Sequence, residues 1–327
     1  METRVMSGIQ PTGDIHIGNY LGAIKQWVEM TEQYKCFYVI VDYHAITIEY
    51  DMASFQDSIF NSAMVNIACG LEPGKCLLFI QSYIPEHTEL CWIFNSCAMV
   101  SRLMNMTQFK EKSAQHESNI NAGLLDYPVL QAADILIYKA SLVPVGEDQL
   151  QHLELSREIA RRFNSRFGET FPEPTACGKT IRILGLDGKN KMSKSLGNHI
   201  GLLETPEEIW KKLAPATTDV QRVKRSDPGR PWLCNIYSFH EFFTPEEQRK
   251  ECAEACQTAN IGCIDCKRVL HKNLCQFLAP IQARHNELKR QPDIVRDFLN
   301  ESAREARDIA KETMDEVRSK MGLRRII

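Results

Sequence analysis

The sequence predicts a doubly wound α/β sheet followed by an all-helical domain. Three short runs are apolar throughout, Phe37–Val41, Leu77–Ile80 and Leu142–Val145, which is typical of parallel strands covered on both faces. Segments with helical spacing of their apolar residues separate these runs, and such alternation indicates a parallel sheet. After about residue 200 only helical patterns remain. Together these observations predict a Rossmann-type fold in the first part of the chain.

Helices are predicted on both sides of this change in pattern. In the first part, one begins at Ser54, one runs from Thr88 through Met99, and one runs from Leu150 to Phe163. In the second part they cover residues 206–213, 245–259, 267–288 and 292–321. The last is the clearest, because its apolar residues recur at steps of three and four. We therefore expect two domains, residues 1–195 with the sheet and residues 196–327 with helices alone.

Composition limits the class of protein. The 327 residues include 39 Lys and Arg against 42 Asp and Glu, a net charge of −3, so overall charge gives no indication of nucleic-acid binding. No apolar run is long enough to cross a bilayer, and the first residues do not resemble a signal peptide. We therefore expect a cytoplasmic protein that is neither membrane-spanning, secreted nor fibrous, with its 12 cysteines reduced.

Residues 7–20 form a turn rich in glycine and proline between a strand and a helix. Such a turn lets the backbone approach a ligand closely, and the helix start offers free N–H groups to an anion. His16 and Asn19 are three residues apart and fit on one side of the first turn. A glycine turn with a surface histidine is the alternative interpretation.

A second candidate phosphate-binding segment is Lys191–Ser195, with the sequence KMSKS. Its two lysines and two hydroxyl groups suit a mobile loop that closes over a polyphosphate and neutralises charge as pyrophosphate leaves. A solvated basic loop is the alternative interpretation.

The two segments together resemble the HIGH and KMSKS motifs of class I aminoacyl-tRNA synthetases. The first departs from the motif at Asn19, where the standard residue is a second histidine, but an asparagine still donates hydrogen bonds. Residues 41–47, 106–113, 122–136 and 143–149 resemble tryptophanyl-tRNA synthetases more closely, and this similarity extends over nearly the whole chain.

The resemblance implies a reaction and its partners. Tryptophan would be activated by ATP, with Mg²⁺, to tryptophanyl-adenylate and pyrophosphate, and then transferred to the 3′ adenosine of tRNA(Trp) by a homodimeric enzyme. The helical domain would bind the anticodon. Three alternatives stay open: a tyrosyl-tRNA synthetase, a simpler nucleotidyltransferase with a HIGH-like motif, and a non-catalytic RNA-binding paralogue.

The resemblance also implies site residues. Asp134 would accept the N–H of indole, which donates a hydrogen bond and accepts none, and Gln149 would reach the substrate amino group. His44 follows a predicted strand, where α/β sites usually lie, and either contacts tryptophan or has a structural role. The residues implied around ATP are Gln10, Pro11, Thr12, Gly18, Asn19, Gly146, Glu147, Asp148, Ile183, Lys191, Met192, Ser193, Lys194 and Ser195. The residues implied in catalysis are His16, Asn19, Lys112, Lys191 and Lys194.

Four cysteines in the helical part, Cys234, Cys256, Cys263 and Cys266, have the spacing C-x21-C-x6-C-x2-C. Four thiolates at such spacing suit either Zn²⁺ or a [4Fe–4S] cluster, and four unrelated buried thiols are the alternative. A subset of tryptophanyl-tRNA synthetases carries a [4Fe–4S] cluster with nearly this spacing, and the resemblance favours that cluster. Cys252 lies four residues before Cys256 and is a competing ligand.

A short basic stretch precedes the first of these cysteines. Its cationic side chains would contact tRNA phosphates or belong to a solvated loop. They are Arg222, Lys224, Arg225 and Arg230.

Overall fold

A computed structural model describes residues 2–11, 13–115, 120–178, 181, 183–194 and 196–323. For Lys112, Gln115 and Glu147 it describes the backbone alone. The described chain forms two compact units. Unit 1 consists of Met1–Thr12, Ala23–Thr180 and Leu288–Ile327, and unit 2 consists of Gly13–Gly22 and Ile181–Glu287.

Unit 1 contains a five-stranded parallel sheet. Its strands are β1 (Arg4–Ile9), β2 (Lys35–Ile40), β3 (Leu77–Ile80), β4 (Leu142–Pro144) and β5 (Thr175–Cys177). They lie side by side in the order β3-β2-β1-β4-β5, with Arg4 opposite Lys35 and Phe37 opposite Leu77. The predicted doubly wound sheet is therefore confirmed, whereas the short edge strand β5 was not predicted.

Helices connect and cover the strands. Among the described residues the α-helices are α1 (Ile17–Asn19), α2 (Lys25–Met30), α3 (Asp42–Ala45), α4 (Met52–Ala68), α5 (Glu86–Asn95), α6 (Val100–Met104), α7 (Thr107–Gln115), α8 (Ala122–Leu136), α9 (Leu150–Phe167), α10 (Pro206–Leu213), α11 (Asn235–Phe243), α12 (Glu246–Gln257), α13 (Cys263–Arg290) and α14 (Pro292–Met321). Thr205 precedes α10 and forms a capping box with Glu208: the Thr205 side chain accepts from the Glu208 N–H, and the Glu208 carboxylate accepts from the Thr205 N–H. No helix of the described chain is long and apolar enough to cross a membrane.

The core of unit 1 lies between the sheet and helices α5, α8, α9 and α14. The last helix contributes a stripe at steps of three and four that includes Ala303, Ala306 and Ala310, and it packs against β3 and α5. Unit 1 thus contains residues from both sides of the predicted domain boundary at residue 195. The boundary was drawn where the strand patterns give way to helical ones, just after the KMSKS segment, and it stays a prediction.

Candidate functional site

The strand order of unit 1 reverses between β1 and β4, and ligands of open α/β sheets bind at such a reversal. The chain leaves β1 toward β2 on one side, whereas β4 lies on the other side of β1, so the order reverses between β1 and β4. Ligands bind at such a reversal, outside the carboxyl ends of the strands. Gln10 and Pro11 directly follow β1, and Gly146 follows β4. Three of the predicted ATP residues therefore lie at this point.

A buried carboxylate lies within α8. Asp134 is 1% exposed, and its two oxygens have three side-chain partners. Gln81 Nε2 donates to Oδ1 over 2.7 Å, and His87 Nδ1 lies 2.6 Å from the same oxygen. His44 Nε2 lies 2.8 Å from Oδ2. His44 and Asp134, both predicted to meet tryptophan, are thus brought into direct contact.

The surroundings of Asp134 keep it ionised. Burial acts to raise the pKa of this carboxyl, but the hydrogen bonds from His44 and His87, with the electrostatic effect of the same two rings, outweigh burial and hold the pKa well below its ordinary value. An ionised carboxylate only accepts, so both histidines present an N–H to it. Asp134 is therefore a buried anionic acceptor in the neutral pH range.

Gln149 belongs to a second polar network in unit 1. Its Oε1 lies 2.9 Å from Nδ1 of the buried His152, whose Nε2 lies 3.3 Å from the Tyr127 hydroxyl. The ring of Tyr127 packs edge-on against the ring of His44, with centroids 6.2 Å apart. Tyr127 therefore links the network of Gln149 to the neighbours of Asp134.

Glycine at position 146 leaves room for the Asp148 carboxylate in the turn after β4. A Cβ at Gly146 would lie 2.7 Å from the Asp148 carboxylate, which is closer than real side chains approach. Asp148 accepts from Gln108 Nε2 at its backbone oxygen and at Oδ2, both over 3.2 Å. Gly146 and Asp148, both predicted to lie around ATP, thus belong to one compact turn.

In unit 2, His16 and Asn19 bracket the first turn of α1. The Asn19 N–H donates to His16 Nδ1 over 3.3 Å, and the His16 N–H donates to Asn19 Oδ1 over 3.1 Å. This reciprocal pairing is a capping box. A Cβ at Gly18 would lie 2.9 Å from His16 Nδ1, so a glycine at position 18 leaves room for this histidine.

Burial lowers the pKa of His16 from 6.5 to about 4, and the nearby charges of His199 and Lys191 add to the effect. His16 is therefore neutral at pH 7, and its ring acts as the acceptor that caps α1.

His16→Asn tests this burial, because asparagine keeps an acceptor for the helix start but does not titrate. The unfolded chain binds a proton near pH 6.5 and the folded chain only near pH 4, so the free energy of unfolding falls as the pH drops below 6.5. Relative to the variant, the free energy of unfolding of the wild type should fall by about 1 kcal/mol between about pH 7.5 and pH 5.5, allowing for solvent screening. Urea unfolding at both pH values measures this loss, and an unchanged difference contradicts it.

The KMSKS segment packs against the same part of unit 2. Lys194 Nζ lies 3.4 Å from Asp14 Oδ2, and its alkyl chain fills the space that a Cβ at Gly13 would need. Met192 is buried, while Lys191 and Lys194 are exposed. The Ser193 N–H donates to Asn198 Oδ1 over 2.8 Å. Residues 13–20 of the first phosphate segment and the KMSKS segment are thus in one unit, with both lysine side chains reaching solvent.

The four cysteines predicted to hold a metal group lie at helix ends. Cys234 directly precedes α11, Cys256 is near the end of α12, and Cys263 and Cys266 are in the first turn of α13. The helix predicted from residue 267 therefore begins four residues earlier, at Cys263. No group of three or more His, Cys, Asp or Glu side chains in the described part of the chain is close enough to hold a metal ion.

The cysteines nevertheless have polar neighbours in this region. Cys266 shares a hydrogen bond with the thiol of Cys252, and its sulfur lies 3.3 Å from His240 Nε2. Arg222 Nη1 donates to the sulfurs of Cys256, over 3.5 Å, and of Cys263, over 4.0 Å.

The basic stretch before these cysteines divides into two pairs. Arg222 contacts the cysteines, and Arg230 forms an ion pair with Asp219, with nitrogen and oxygen 2.5 Å apart. Lys224 and Arg225 are exposed. Within the chain, Arg222 and Arg230 already have close partners, whereas Arg225 has only a long ion pair with Asp265, with nitrogen and oxygen 3.9 Å apart. Lys224 and Arg225 are therefore the better candidates for contact with a polyanion.

The predicted site residues are distributed over both units. Unit 1 contains Gln10, Pro11, His44, Lys112, Asp134, Gly146, Glu147, Asp148 and Gln149, and unit 2 contains His16, Gly18, Asn19, Ile183, Lys191, Met192, Ser193, Lys194, Cys234, Cys256, Cys263 and Cys266. Thr12 and Ser195 lie outside the described residues, as do the side chains of Lys112 and Glu147.

Sequence reasoning missed Gln81 and His87, which contact Asp134, and Tyr138, whose hydroxyl lies 2.7 Å from His87 Nε2. Gln81 follows β3 directly, so the position that singled out His44 after β2 could also have singled out Gln81. His87 and Tyr138 carry no comparable signal, because neither directly follows a predicted strand or belongs to a recognisable motif.

Comparison with known proteins gives consistent matches. Residues 1–279 match the family described as tRNA synthetases class I (W and Y). The chain is 52% identical over 326 residues to a tryptophan–tRNA ligase of Deinococcus radiodurans, covering 98% of each chain. It is 44% identical over 326 residues to a tryptophan–tRNA ligase of Thermotoga maritima, covering 98% of this chain and 99% of the relative.

A solved structure matches over the same length. It is the tryptophanyl-tRNA synthetase of Campylobacter jejuni complexed with ADP and tryptophan, at a TM-score of 0.90 and 34% identity. The match covers 98% of this chain and 100% of that one.

Proposed function

Since the chain belongs to the class I tRNA synthetases of the tryptophan and tyrosine group, and within it to the tryptophan–tRNA ligases, we propose how its own residues perform that reaction. The enzyme activates L-tryptophan with ATP to tryptophanyl-adenylate and pyrophosphate, and then transfers tryptophan to the 3′ adenosine of tRNA(Trp). The observation that carries the proposal is the Asp134 carboxylate, buried and held by three side chains at 2.6–2.8 Å.

We assign recognition of the indole ring to Asp134. A carboxylate has about four lone-pair directions, and Gln81, His87 and His44 use three of them. The remaining direction accepts one N–H, which is the single hydrogen-bonding group of indole. His44 lies against tryptophan as well as Asp134 in this proposal, and Gln149 accepts from the substrate ammonium through its Oε1.

We assign the binding of ATP to the residues around the two phosphate segments and the strand ends. Neutral His16 and Asn19 donate to phosphate oxygens from the start of α1, and Lys191 and Lys194 supply positive charge. Lys112 is proposed as a further cation for the phosphates. Gly146, Glu147 and Asp148 bind the ribose, and Ile183 lies beside adenine. The other proposed ATP contacts are Gln10, Pro11, Thr12, Gly18, Met192, Ser193 and Ser195.

The chemistry then needs no protein nucleophile. A carboxylate oxygen of tryptophan attacks the α-phosphorus, the bond from that phosphorus to the bridging oxygen breaks, and pyrophosphate leaves with the oxygen. A hydroxyl of the tRNA 3′ adenosine, the 2′-OH first in this class, then attacks the activated carbonyl carbon and AMP leaves. The protein positions the reactants and stabilises developing charge. We propose that Mg²⁺ enters bound to the ATP phosphates.

Exchange of labelled pyrophosphate into ATP tests the first half-reaction. We expect exchange that requires tryptophan and is not supported by tyrosine. Exchange with tyrosine and none with tryptophan would favour the tyrosyl alternative, and no exchange with either would favour a non-catalytic RNA-binding protein.

Transfer to tRNA implies further contacts. We propose that residues 196–327 bind the anticodon, with the exposed Lys224 and Arg225 meeting phosphates. We also propose a homodimer, supported by exposed apolar side chains on α5, on α6 and between them: Trp92 at 79%, Met99 at 51% and Val100 at 62%. A cytoplasmic location is consistent with 12 free cysteines.

We propose further that Cys234, Cys256, Cys263 and Cys266 hold a [4Fe–4S] cluster, with Zn²⁺ as the alternative. The donor set suits either group, because the thiol of Cys256 is close enough to those of Cys234 and Cys263 for mutual repulsion, and Cys266 is likewise close to Cys234 and Cys256.

Two neighbours of the cysteines also fit such a group. Arg222 directs a guanidinium at the sulfurs of Cys256 and Cys263, where it offsets the negative charge of thiolates. Gly229 leaves room for the sulfur of Cys256, which a Cβ at position 229 would overlap. When bound, the cluster would supply a covalent cross-link between the ends of three helices.

Anaerobic purification tests this proposal. The protein should be brown, absorb near about 400 nm and contain about four irons per chain. Cys256→Ser should lose most of the iron, whereas Cys275→Ser, a change at a half-buried cysteine within α13, should keep it. Colourless protein with about one zinc per chain would favour the alternative.

A further inference from the structure

A line of buried polar groups extends from Asp134 through His87 to Tyr138. The Tyr138 hydroxyl lies 2.7 Å from His87 Nε2, and His87 Nδ1 lies 2.6 Å from Asp134 Oδ1. Tyr138 and His87 are 0% exposed and Asp134 is 1% exposed. Solvent therefore does not contribute to the orientation of this line.

The direction of each hydrogen bond follows from the carboxylate. Ionised Asp134 only accepts, so His87 Nδ1 carries the proton and donates to it. In the tautomer that carries its proton on Nδ1, Nε2 is the acceptor, and the Tyr138 hydroxyl, 2.7 Å away, donates to it. Tyr138 thus selects the tautomer of His87, and His87 aims one oxygen of Asp134.

Packing fixes the outer member of the line. The ring of Tyr138 stacks on Phe37, with centroids 4.5 Å apart and planes 18° apart, and meets Phe79 edge-on at 5.7 Å. Both phenylalanines lie in strands of the sheet, Phe37 in β2 and Phe79 in β3. The sheet therefore sets the position of a hydroxyl that, through His87, sets the position of the Asp134 carboxylate.

Gln81 adds a second observation. Its Nε2 donates to Asp134 Oδ1 over 2.7 Å, while its Oε1 is buried and has no hydrogen-bond partner among the described residues. A buried acceptor without a donor is unfavourable, because it has lost water without gaining a partner. Beside Asp134, therefore, the chain presents acceptors. Such a site binds a ligand group that only donates hydrogen bonds better than it binds a phenol hydroxyl, because the lone pairs of the hydroxyl also need donors.

We propose that Gln81, His87 and Tyr138 are positioning residues that set the specificity for tryptophan by holding the Asp134 acceptor in place for the indole N–H. The proposal rests on the indole contact assigned to Asp134 above. It predicts that these residues contribute to the selection of an N–H group, beyond any contribution to the packing of the core.

A pair of substrates isolates this effect. Tryptophan and β-(3-benzothienyl)alanine have nearly the same shape, but sulfur replaces the indole N–H in the second. The measured quantity is the ratio of kcat/KM for tryptophan to that for the analogue in ATP–pyrophosphate exchange. We expect a ratio of about 10³ for the wild type, because a site built to hydrogen-bond a substrate strongly rejects an analogue that lacks the group.

Substitutions of the three positioning residues should lower this ratio by different factors. Tyr138→Phe keeps the stacking on Phe37 and removes only the hydroxyl, and should lower the ratio about fivefold. His87→Leu should lower it about 30-fold or more, whereas His87→Asn, whose amide replaces the Nδ1 donor, should stay within about threefold of the wild type. Gln81→Met should lower the ratio about tenfold.

The outcomes separate the two proposals. If Tyr138→Phe and His87→Leu lower activity on both substrates equally, the residues are merely structural and the inference is overturned. If His87→Leu does not fold, Tyr138→Phe and Gln81→Met decide the matter by the same criterion. If Asp134→Asn itself leaves the ratio unchanged, the indole contact is wrong; a fall with Asp134→Asn but with none of the other variants overturns the positioning role alone.

Discussion

Asp134→Asn is expected to lower kcat/KM for tryptophan activation about 10³-fold. The substituted asparagine would present an amide NH₂ on one side of a group that is surrounded by donors, so His44, or His87 and Gln81, would lose an acceptor. The change also removes the negative charge that the indole N–H would meet. Most of the loss should appear in the KM for tryptophan, with the KM for ATP nearly unchanged, as measured by ATP–pyrophosphate exchange.

Asp126→Asn is the matched control, because Asp126 is another carboxylate on α8. It accepts from Asn95 Nδ2 over 2.9 Å and from the Cys91 thiol over 3.5 Å, and it has no assigned contact with tryptophan. We expect a change of less than about threefold. Equal effects of the two substitutions would show that the helix, rather than the indole contact, is being perturbed.

Lys194→Ala is expected to lower kcat of adenylate formation about 10²–10³-fold, with a smaller effect on KM for tryptophan. The Lys194 ammonium is exposed and held loosely, 3.4 Å from Asp14, so it is free to exchange this carboxylate for a phosphate. Its charge is needed most when pyrophosphate leaves, and a group that acts in the transition state affects kcat. Single-turnover formation of tryptophanyl-adenylate measures the chemical step directly.

Lys189→Ala is the control for this prediction. Lys189 belongs to the turn that precedes KMSKS, its side chain is exposed, and its N–H donates to Asp187 over 3.1 Å. Alanine keeps this backbone bond, so adenylate formation should remain within about threefold of the wild type. A loss at Lys189 equal to that at Lys194 would indicate a general effect of positive charge.

Much of the fold could be predicted because its strands are apolar on both faces. The run Leu77–Ile80 and the helices 206–213 and 292–321 have the bounds that the patterns indicated. The three-residue edge strand Thr175–Cys177 escaped notice, since it is only partly buried and has no apolar run. The packing of the last helix on the sheet was also missed, because an amphipathic stripe shows that a helix is covered but does not identify the element that covers it.

Some residues of the site could be predicted from the sequence, whereas their hydrogen-bond partners could not. Motif resemblance led to His16, Lys191 and Asp134, and comparison confirms the family. The partners of Asp134 could not be predicted in this way, because Gln81 and His87 are 53 and 47 residues away in sequence, and no spacing rule links residues so far apart. For the cysteines, the spacing identified four candidates, but it could not show that Cys252 would hydrogen-bond to Cys266.

The most direct test of the account is the magnetic resonance signal of tryptophan labelled with ¹⁵N at the indole nitrogen. Bound to the wild-type enzyme, the indole N–H should resonate downfield of its position in free tryptophan and should exchange slowly with water, because it donates to the buried Asp134 carboxylate. Bound to Asp134→Asn at saturating tryptophan, the signal should move back upfield. An N–H signal in the wild-type complex that keeps its free position and exchanges rapidly with water would contradict the account.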